Sequence, residues 1–248
     1  MLESVDRWIE SLLRDDGIEA PVNGSNIVMA NIWAKQTGIV AGKAVIARLF
    51  EKWASNINTK WIVGDGEQIQ KDEKMVELEG PVNSILKLER TILNILGRLS
   101  GIASSATEWA KTSTIPVACT RKTTWGLLDK WSVHLGGCLT HRLNRKDAKM
   151  LKENDLSAID TSGDPYSQFS NFLNVNQDFG AFLEVEVQSV EQASKFAELW
   201  VSKFRTDKEK LVIMLDNMPP ESCRLVHESL LSNGIRDFII IEASGGIT

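Results

Sequence analysis

The chain has 248 residues, enough for one large or two modest domains with a substantial buried core. Its net charge of −5 and its pI near 5.4 argue against a general nucleic-acid or anionic-membrane binder, because such proteins usually carry a basic excess. Cys119, Cys138 and Cys223 lack CxxC spacing, so neither a disulfide framework nor a zinc site is expected. A cytoplasmic protein is predicted.

The N-terminal half predicts a mixed α/β domain. Apolar residues at helical spacing predict an amphipathic helix over 1–16, followed by a loop over 17–26. Strands are expected at 27–35 and 59–65, with a helix at 42–55 between them and hairpin-rich structure over 64–80. Pro81 is expected in the first turn of a long helix, whose apolar residues repeat from Ile85 to Ile102. We expect this helix to connect two domains, 1–112 and 113–248.

Beyond residue 115, strand-like runs alternate with helical stretches, and each run ends at a polar group. The predicted strand ends are Arg121-Lys122, Lys152, Glu186, Asp216 and Ser244. They follow one another at intervals of 28 to 34 residues, which is the length of one βα unit. A parallel α/β barrel is therefore predicted, and in such a barrel the carboxyl ends of the strands carry the site.

The basic residues near the first strand ends predict an anion site. Residues 119–152 hold eight cations against two carboxylates, a local charge of +6 in an acidic chain. An ordinary solvated face is expected for Lys130, Arg145, Lys146 and Lys149. The barrel mouth is expected for Arg121, Lys122, Arg142 and Lys152. Arginine pairs bidentately with carboxylates and lysine acts as a point charge on phosphate, so the pattern predicts a carboxylate substrate with a phosphorylated partner.

The acidic residues near the later strand ends suggest a divalent cation. Glu184 and Glu186 lie two apart on one strand and so share a face, inward if the flanking valines pack against helices and outward if they do not. Glu186 and Asp216 would be neighbouring carboxylates able to hold Mg²⁺ beside a phosphate, with helix capping the alternative role for Asp216. The small residues that follow Ser244 suit a phosphate cradle.

Seven segments of the chain occur in a characteristic order. They are ERTILNILGRLSGIA (89–103), TRKTTWG (120–126), GGCLTHR (136–142), MLKEN (150–154), EVEV (184–187), MLDNM (214–218) and EASGGIT (242–248). In this order they resemble the quinolinate phosphoribosyltransferase family. WAKQTGIVAG (33–42) and VGDGEQIQ (63–70) are similar to its N-terminal domain. The resemblance spans about residues 30–248 and implies an N-terminal α/β sandwich followed by an open parallel α/β barrel.

The resemblance implies an activity and a set of site residues. The family transfers phosphoribosyl from 5-phosphoribosyl 1-diphosphate (PRPP) to quinolinate, releasing nicotinate mononucleotide, pyrophosphate and CO₂, with Mg²⁺ as cofactor. By resemblance, the quinolinate carboxylates are bound by Thr120, Arg121, His141 and Arg142. Arg90 reaches the site of the neighbouring subunit, so a homodimer is the smallest active unit. PRPP and its Mg²⁺ are contacted by Lys122, Lys152, Glu186 and Asp216, and phosphate by Ser244, Gly245 and Gly246.

Four departures from the family pattern leave alternatives open. Asp155 stands where the family usually has histidine, Cys138 replaces a glycine, the family's acidic GD-T segment is not found near the N-terminus, and the sequence stops at Thr248 before the barrel's last strand. Either the chain is cut there or part of the phosphate site is missing. We expect a cut, with the barrel truncated at its C-terminal end, because a barrel ending there would expose apolar edges. The alternatives are a related enzyme acting on another anionic substrate, and a non-catalytic protein binding phosphorylated metabolites or RNA.

Overall fold

The computed structural model describes residues 2–159, 163–204 and 209–247. The expectation about the end of the chain at Thr248 lies outside these residues. The chain divides into two compact units, Met1–Leu143 and Asn144–Thr248, each with its own hydrophobic core. Among the described helices, none combines the length and the apolar character that a bilayer crossing needs.

The first unit is a helix-packed antiparallel sheet followed by one long helix. Its elements are α1 (Leu2–Asp15), β1 (Ile27–Trp33), β2 (Gly38–Ile39), α2 (Lys43–Trp53), β3 (Asn58–Trp61), β4 (Gln68–Ile69), β5 (Lys74–Pro81), α3 (Val82–Thr112), β6 (Ala118–Cys119), α4 (Leu127–Leu135) and β7 (Leu139–Thr140). The main sheet has the order β1-β5-β3, with both pairs antiparallel, and β2 pairs with β4. The predicted helices and the strands at the positions of β1 and β3 are confirmed, whereas α3 extends beyond Ile102 to Thr112 and β2 was not predicted.

Helix α3 is the longest element of the chain. Its buried residues recur every three or four positions from Ser84 to Ala106, which gives the helix one continuous packed stripe. Pro81 is the last residue of β5 and precedes the first helical residue, so the expectation that it lies in the first turn is wrong by one position. The missing N–H of proline explains both placements, since a strand end and a helix start can each spare that donor.

The second unit is an open parallel sheet covered by helices. Its elements are β8 (Lys149–Leu151), α5 (Glu153–Ile159), α6 (Pro165–Val175), β9 (Leu183–Val187), α7 (Val190–Lys203), β10 (Leu211–Asp216), α8 (Pro220–Ser232), a 3₁₀ turn (Arg236–Phe238) and β11 (Ile239–Ser244). The strand order is β11-β10-β9-β8 and every neighbouring pair is parallel. The predicted α/β class with repeated βα units is confirmed. In the described residues the sheet does not close into a complete barrel.

One face of this sheet forms the core of the second unit. Alternate residues of β9, β10 and β11 are buried against α6, α7 and α8, with Phe169, Phe196 and Trp200 among the largest buried side chains. Strand residues point alternately to the two faces, so burying the odd-numbered positions turns the even-numbered ones to the opposite face. The polar residues predicted for the site occupy those even-numbered positions.

Candidate active site

The acidic side chains of the second unit share the face of the sheet that points away from its helices. Register pairs Glu186 with Met214, and Met214 with Glu242, so these residues and the positions two away lie on one face. Glu184 and Asp216 belong to the same face, while Val185 and Val187 pack in the helical core. The inward reading of Glu184 and Glu186 is therefore confirmed. We call this surface the polar sheet face.

An ion pair joins two of the predicted site residues at the carboxyl end of the sheet. Lys152 follows β8 directly, and its Nζ donates a hydrogen bond to the Glu186 carboxylate on β9. The backbone N–H of Lys152 donates to Asp155 Oδ2 at 3.0 Å. Asp155 thus acts on the start of α5 and fixes the backbone of Lys152, which gives this departure from the family pattern a local structural role.

Backbone hydrogen bonds join the carboxyl ends of β10 and β11. Asp216 is paired in register with Ser244, and the N–H of Asn217 donates to the Ser244 carbonyl at 2.7 Å. Asn217 has φ of 54° and Gly245 has φ of 84°, so both chains turn sharply as they leave the sheet. The Asn217 amide also donates to Asp216 Oδ2 at 3.1 Å. Asn217 was not assigned a role from sequence, although an Asp-Asn pair at a strand end is a recognisable turn signal.

A cavity of about 520 Å³ opens beside Asp216, at the carboxyl ends of β9 and β10. It is lined by Gln188, Ser189, Val190, Asp216, Asn217, Met218, Pro219 and Ser222. Ser189 caps the start of α7 and Pro219 precedes α8, so two helices begin at this cavity. Asp216 faces the cavity and the helix that follows it begins after Pro219, so the alternative of Asp216 as its cap is not supported.

Most of the remaining predicted site residues directly follow two short parallel strands of the first unit. Cys119 on β6 pairs with Thr140 on β7, so Thr120 and His141 are the next residues along two adjacent strands. Thr120, Arg121 and Lys122 are exposed. The sequence placed Arg142 after a β-like run but gave no bounds for β7, because two residues are too few to show an alternating pattern.

Two basic residues of this region are buried. Lys130 on α4 is 3% exposed and Arg142 is 6% exposed. The Lys130 Nζ donates to the carbonyl of Arg142 and, at 3.1 Å, to that of Leu143. The expected solvated role of Lys130 is therefore wrong, since its charge is buried and bonded to backbone carbonyls. Arg145 and Lys146 are exposed as expected, whereas Lys149 is half-buried and its Nζ donates to Asn176 Oδ1 at 3.1 Å.

Arg90 lies on an exposed position of α3, away from the stripe that packs in the core. The predicted site residues thus divide between the units. Those in the first unit are Arg90, Thr120, Arg121, Lys122, His141 and Arg142. Those in the second unit are Lys152, Glu186, Asp216, Ser244, Gly245 and Gly246.

Comparison with known proteins decides the family. Residues 15–100 match the model of the quinolinate phosphoribosyl transferase N-terminal domain, and residues 101–248 match that of the C-terminal domain. The chain belongs to the quinolinate phosphoribosyltransferase family. The boundary between the two family domains lies inside α3, whereas the boundary between the two compact units lies after Leu143.

Members of the quinolinate phosphoribosyltransferase family from two archaea are similar over most of the chain. "Probable nicotinate-nucleotide pyrophosphorylase (carboxylating)" of Methanothermobacter thermautotrophicus is 34% identical over 236 residues, covering 92% of this chain and 79% of the relative. The protein of the same name from Archaeoglobus fulgidus is 36% identical over 228 residues, covering 89% and 81%.

Solved structures of the family have the same fold. NadC from Streptococcus pyogenes is 28% identical with a TM-score of 0.79, covering 100% of this chain and 86% of that one. The nicotinate-nucleotide pyrophosphorylase from Francisella tularensis is 25% identical with a TM-score of 0.79, covering 99% and 84%.

The donor set of the polar sheet face fits the Mg²⁺ ion that the family resemblance implies. Glu186 and Asp216 offer carboxylate oxygens from adjacent parallel strands, and Asn217 adds an amide beside Asp216. Magnesium prefers such hard oxygen ligands, and it usually takes only one or two protein carboxylates together with substrate phosphates. Lys152 already bonds Glu186, so a phosphorylated ligand arriving here would meet both a cation and carboxylates.

Proposed function

We propose that this protein transfers the phosphoribosyl group of PRPP to quinolinate and decarboxylates the product, giving nicotinate mononucleotide, pyrophosphate and CO₂ for NAD biosynthesis. Two observations support the proposal together: the match of both family domains along the chain, and the polar sheet face with Lys152 bonded to Glu186. The first of these carries the choice of substrates.

Quinolinate is bound, in this proposal, by residues that follow β6 and β7. Arg121 and Arg142 supply planar guanidinium groups, and each can take one carboxylate through two parallel N–H donors. His141 and Thr120, which follow the adjacent strands, add hydrogen-bond donors on shorter side chains. Two carboxylates on the substrate match two arginines, so a pyridine with one carboxylate would lose one of the paired contacts.

PRPP is bound by Lys122 and by the carboxyl ends of the parallel sheet. Lys152 places a positive charge beside the departing pyrophosphate, while Glu186 and Asp216 hold negative charge close to the ribose. A bound Mg²⁺, held by Glu186 and Asp216, would neutralise charge on the diphosphate as it leaves. Ser244, Gly245 and Gly246 present hydroxyl and backbone N–H groups to a phosphate.

The chemistry requires electrostatic stabilisation and positioning more than a protein nucleophile. As the C–O bond to pyrophosphate breaks, positive charge develops on the ribose ring, and nearby carboxylates stabilise it. The ring nitrogen of quinolinate then bonds the ribose carbon and becomes cationic. The electron pair released when the adjacent carboxylate leaves as CO₂ stays on the ring carbon, where the neighbouring cationic nitrogen stabilises it until a proton from water replaces the carboxylate, so the arginines have only to hold the ring in place.

The active form is proposed to be a cytoplasmic homodimer in which Arg90 completes the neighbouring subunit's site. Its exposure on α3 leaves the side chain available to a second copy. All three cysteines are free, in keeping with a reducing compartment. We also propose a functional boundary at 112/113, where α3 ends.

The first experiment measures binding of quinolinate and of nicotinate to the purified protein by calorimetry, and then turnover with PRPP and Mg²⁺. We expect quinolinate to bind at least about tenfold more tightly than nicotinate, since one bidentate charged contact is worth about 1.5–3 kcal/mol. Equal affinity for the two, or no formation of nicotinate mononucleotide, would refute the proposed substrate.

Arg121→Ala should abolish quinolinate turnover and leave the fold intact, because Arg121 is exposed and its loss creates no cavity. Arg145→Ala is the matched control, since it removes an exposed arginine that has no proposed role. Mixing Arg121→Ala with Arg90→Ala should restore part of the activity through hybrid dimers. Absence of any rescue would remove Arg90 from the neighbouring site.

A further inference from the structure

A partly buried ion pair in the first unit contacts the loop that carries Arg121 and Lys122. Arg98 on α3 donates from Nε to Asp129 Oδ1 at 3.0 Å and from Nη2 to Asp129 Oδ2 at 2.8 Å. Asp129 on α4 is 4% exposed, and its Oδ2 also accepts the backbone N–H of Trp125 at 2.9 Å. One carboxylate therefore joins α3, α4 and the last part of the loop. We call Arg98, Asp129 and Trp125 the loop clamp.

The ring of Trp125 is held as well as its backbone. The Arg98 guanidinium carbon lies 4.9 Å from the Trp125 ring centroid, a cation–π distance, and the Trp8 ring stacks on Trp125 with centroids 5.8 Å apart. Arginine can hydrogen-bond a carboxylate through its edge and contact a ring through its face at the same time, which lysine cannot do. Arg98 performs both tasks here.

The loop between the clamp and β6 has little else to fix it. For residues 121–124, every hydrogen bond that the structure describes runs to an atom of the same loop: Lys122 N–H to Thr120 Oγ1 at 3.1 Å, and Thr123 to the Arg121 carbonyl. The positions of the two cations are therefore set by the two ends of the loop. One end is the β6 pairing with β7, and the other is Trp125.

Lys130, the residue next to Asp129, holds the segment that carries Arg142. Lys130 donates to the carbonyls of Arg142 and Leu143, while Asp129 holds Trp125. Two consecutive residues of α4 thus contact the loop that carries Arg121 and the segment that carries Arg142.

We propose that Arg98 and Asp129 are positioning residues for substrate binding, which set the place of Arg121 and Lys122 through Trp125. The inference rests on the proposed function, because it gives those two cations the carboxylates of quinolinate and the phosphates of PRPP to bind. The clamp residues contact no substrate themselves. They reduce the number of conformations that the loop must give up when the anions bind, and preorganisation of this kind improves affinity.

Arg98→Lys tests the inference with the smallest change. It keeps the positive charge beside Asp129 but removes the two-pronged hydrogen bonding and the flat contact with Trp125. Arg48→Lys is the matched control, because Arg48 makes the same bidentate arrangement with Asp6, at 2.8 and 3.0 Å, between α1 and α2 of the same unit. Neither Arg48 nor Asp6 has a described contact with the loop.

The kinetic readout separates positioning from a general structural role. For Arg98→Lys we expect KM for quinolinate and for PRPP to rise about tenfold, with kcat per folded molecule within about twofold of the parent. Loss of folded protein alone would lower the apparent kcat and leave KM unchanged. That second pattern, or an equal rise in KM for Arg48→Lys, would overturn the inference.

Limited trypsin digestion gives a readout that does not require activity. Arg121 and Lys122 are themselves trypsin sites in an exposed loop, so cleavage after them reports how often the loop opens. Arg98→Lys should speed this cleavage several-fold relative to Arg48→Lys, and equal rates would overturn the inference. If the parent protein does not turn over quinolinate, the proposed function is refuted, whereas the cleavage comparison still decides whether the clamp holds the loop.

Discussion

Replacing Gly245 by alanine should damage the turn that joins the ends of β10 and β11. A Cβ at Gly245 would overlap the Oδ1 of Asn217 and lie 2.6 Å from its Cγ and 3.2 Å from its Cα. The φ of 84° adds a second cost, because this backbone conformation is unfavourable for alanine by about 1 kcal/mol or slightly more. The Asn217 side chain would have to rotate away, losing its 3.1 Å hydrogen bond to Asp216, worth about 0.5–1.5 kcal/mol.

The two costs together predict a loss of about 1.5–2.5 kcal/mol in the free energy of unfolding. Gly246→Ala is the matched control, because Gly246 also has positive φ, at 64°, but nothing lies within 4 Å of its added Cβ. It should lose only the conformational part, about 1 kcal/mol. Urea unfolding of the two variants measures the difference.

Substrate kinetics should separate the same two variants. Displacing Asn217 disturbs Asp216, so KM for PRPP should rise more in Gly245→Ala than in Gly246→Ala. Equal stability and equal KM in the two variants would refute the reasoning, because the contact with Asn217 would then have no energetic effect.

Two further changes test the ion pairs of the two units. Lys152→Met keeps the apolar stem of the side chain but removes the donor to Glu186, so turnover should fall about 100-fold or more. The melting temperature should change little, because the ion pair is partly exposed. Unchanged turnover would exclude Lys152 from PRPP binding. Hydrogen bonds from Arg48 and Lys52 hold the pKa of Asp6 well below its ordinary value of 3.8, so Asp6 stabilises the fold above about pH 4 and loses this effect as the pH falls through its folded-state pKa. Asp6→Asn should therefore be less stable than the parent at pH 7, with a difference that shrinks below about pH 4 in urea unfolding; a difference independent of pH would contradict the assignment.

Local sequence patterns were sufficient to predict most helices and strands and the face on which several side chains lie. The period of two in FLEVEV put Glu184 and Glu186 on one face, and the structure confirms it because the intervening valines are needed in the helical core. The spacing of about 30 residues between strand ends predicted parallel βα units, since a crossover helix fixes the minimum length between parallel strands. The repeat of apolar residues from Ile85 to Ile102 predicted α3, because residues three or four positions apart lie on one face of a helix.

Contacts between distant residues were decided only by the tertiary structure. Lys130 was expected in solvent because it lies in a basic stretch, but the turn after β7 brings two carbonyls over its amine and buries it. Arg98 and Asp129 lie 31 positions apart, and nothing in the sequence near either one indicates the other.

The sequence by itself determined the family, the βα order and the residue types at the strand ends, because these depend on local periodicity and on motifs that can be read in a line. The tertiary structure decided which partner each polar side chain meets: Glu186 for Lys152, the Arg142 carbonyl for Lys130 and Asp129 for Arg98. The physical reason is that a periodic pattern shows which face of an element is buried, whereas a partner depends on strand order, register and helix packing, which bring together residues far apart in the chain.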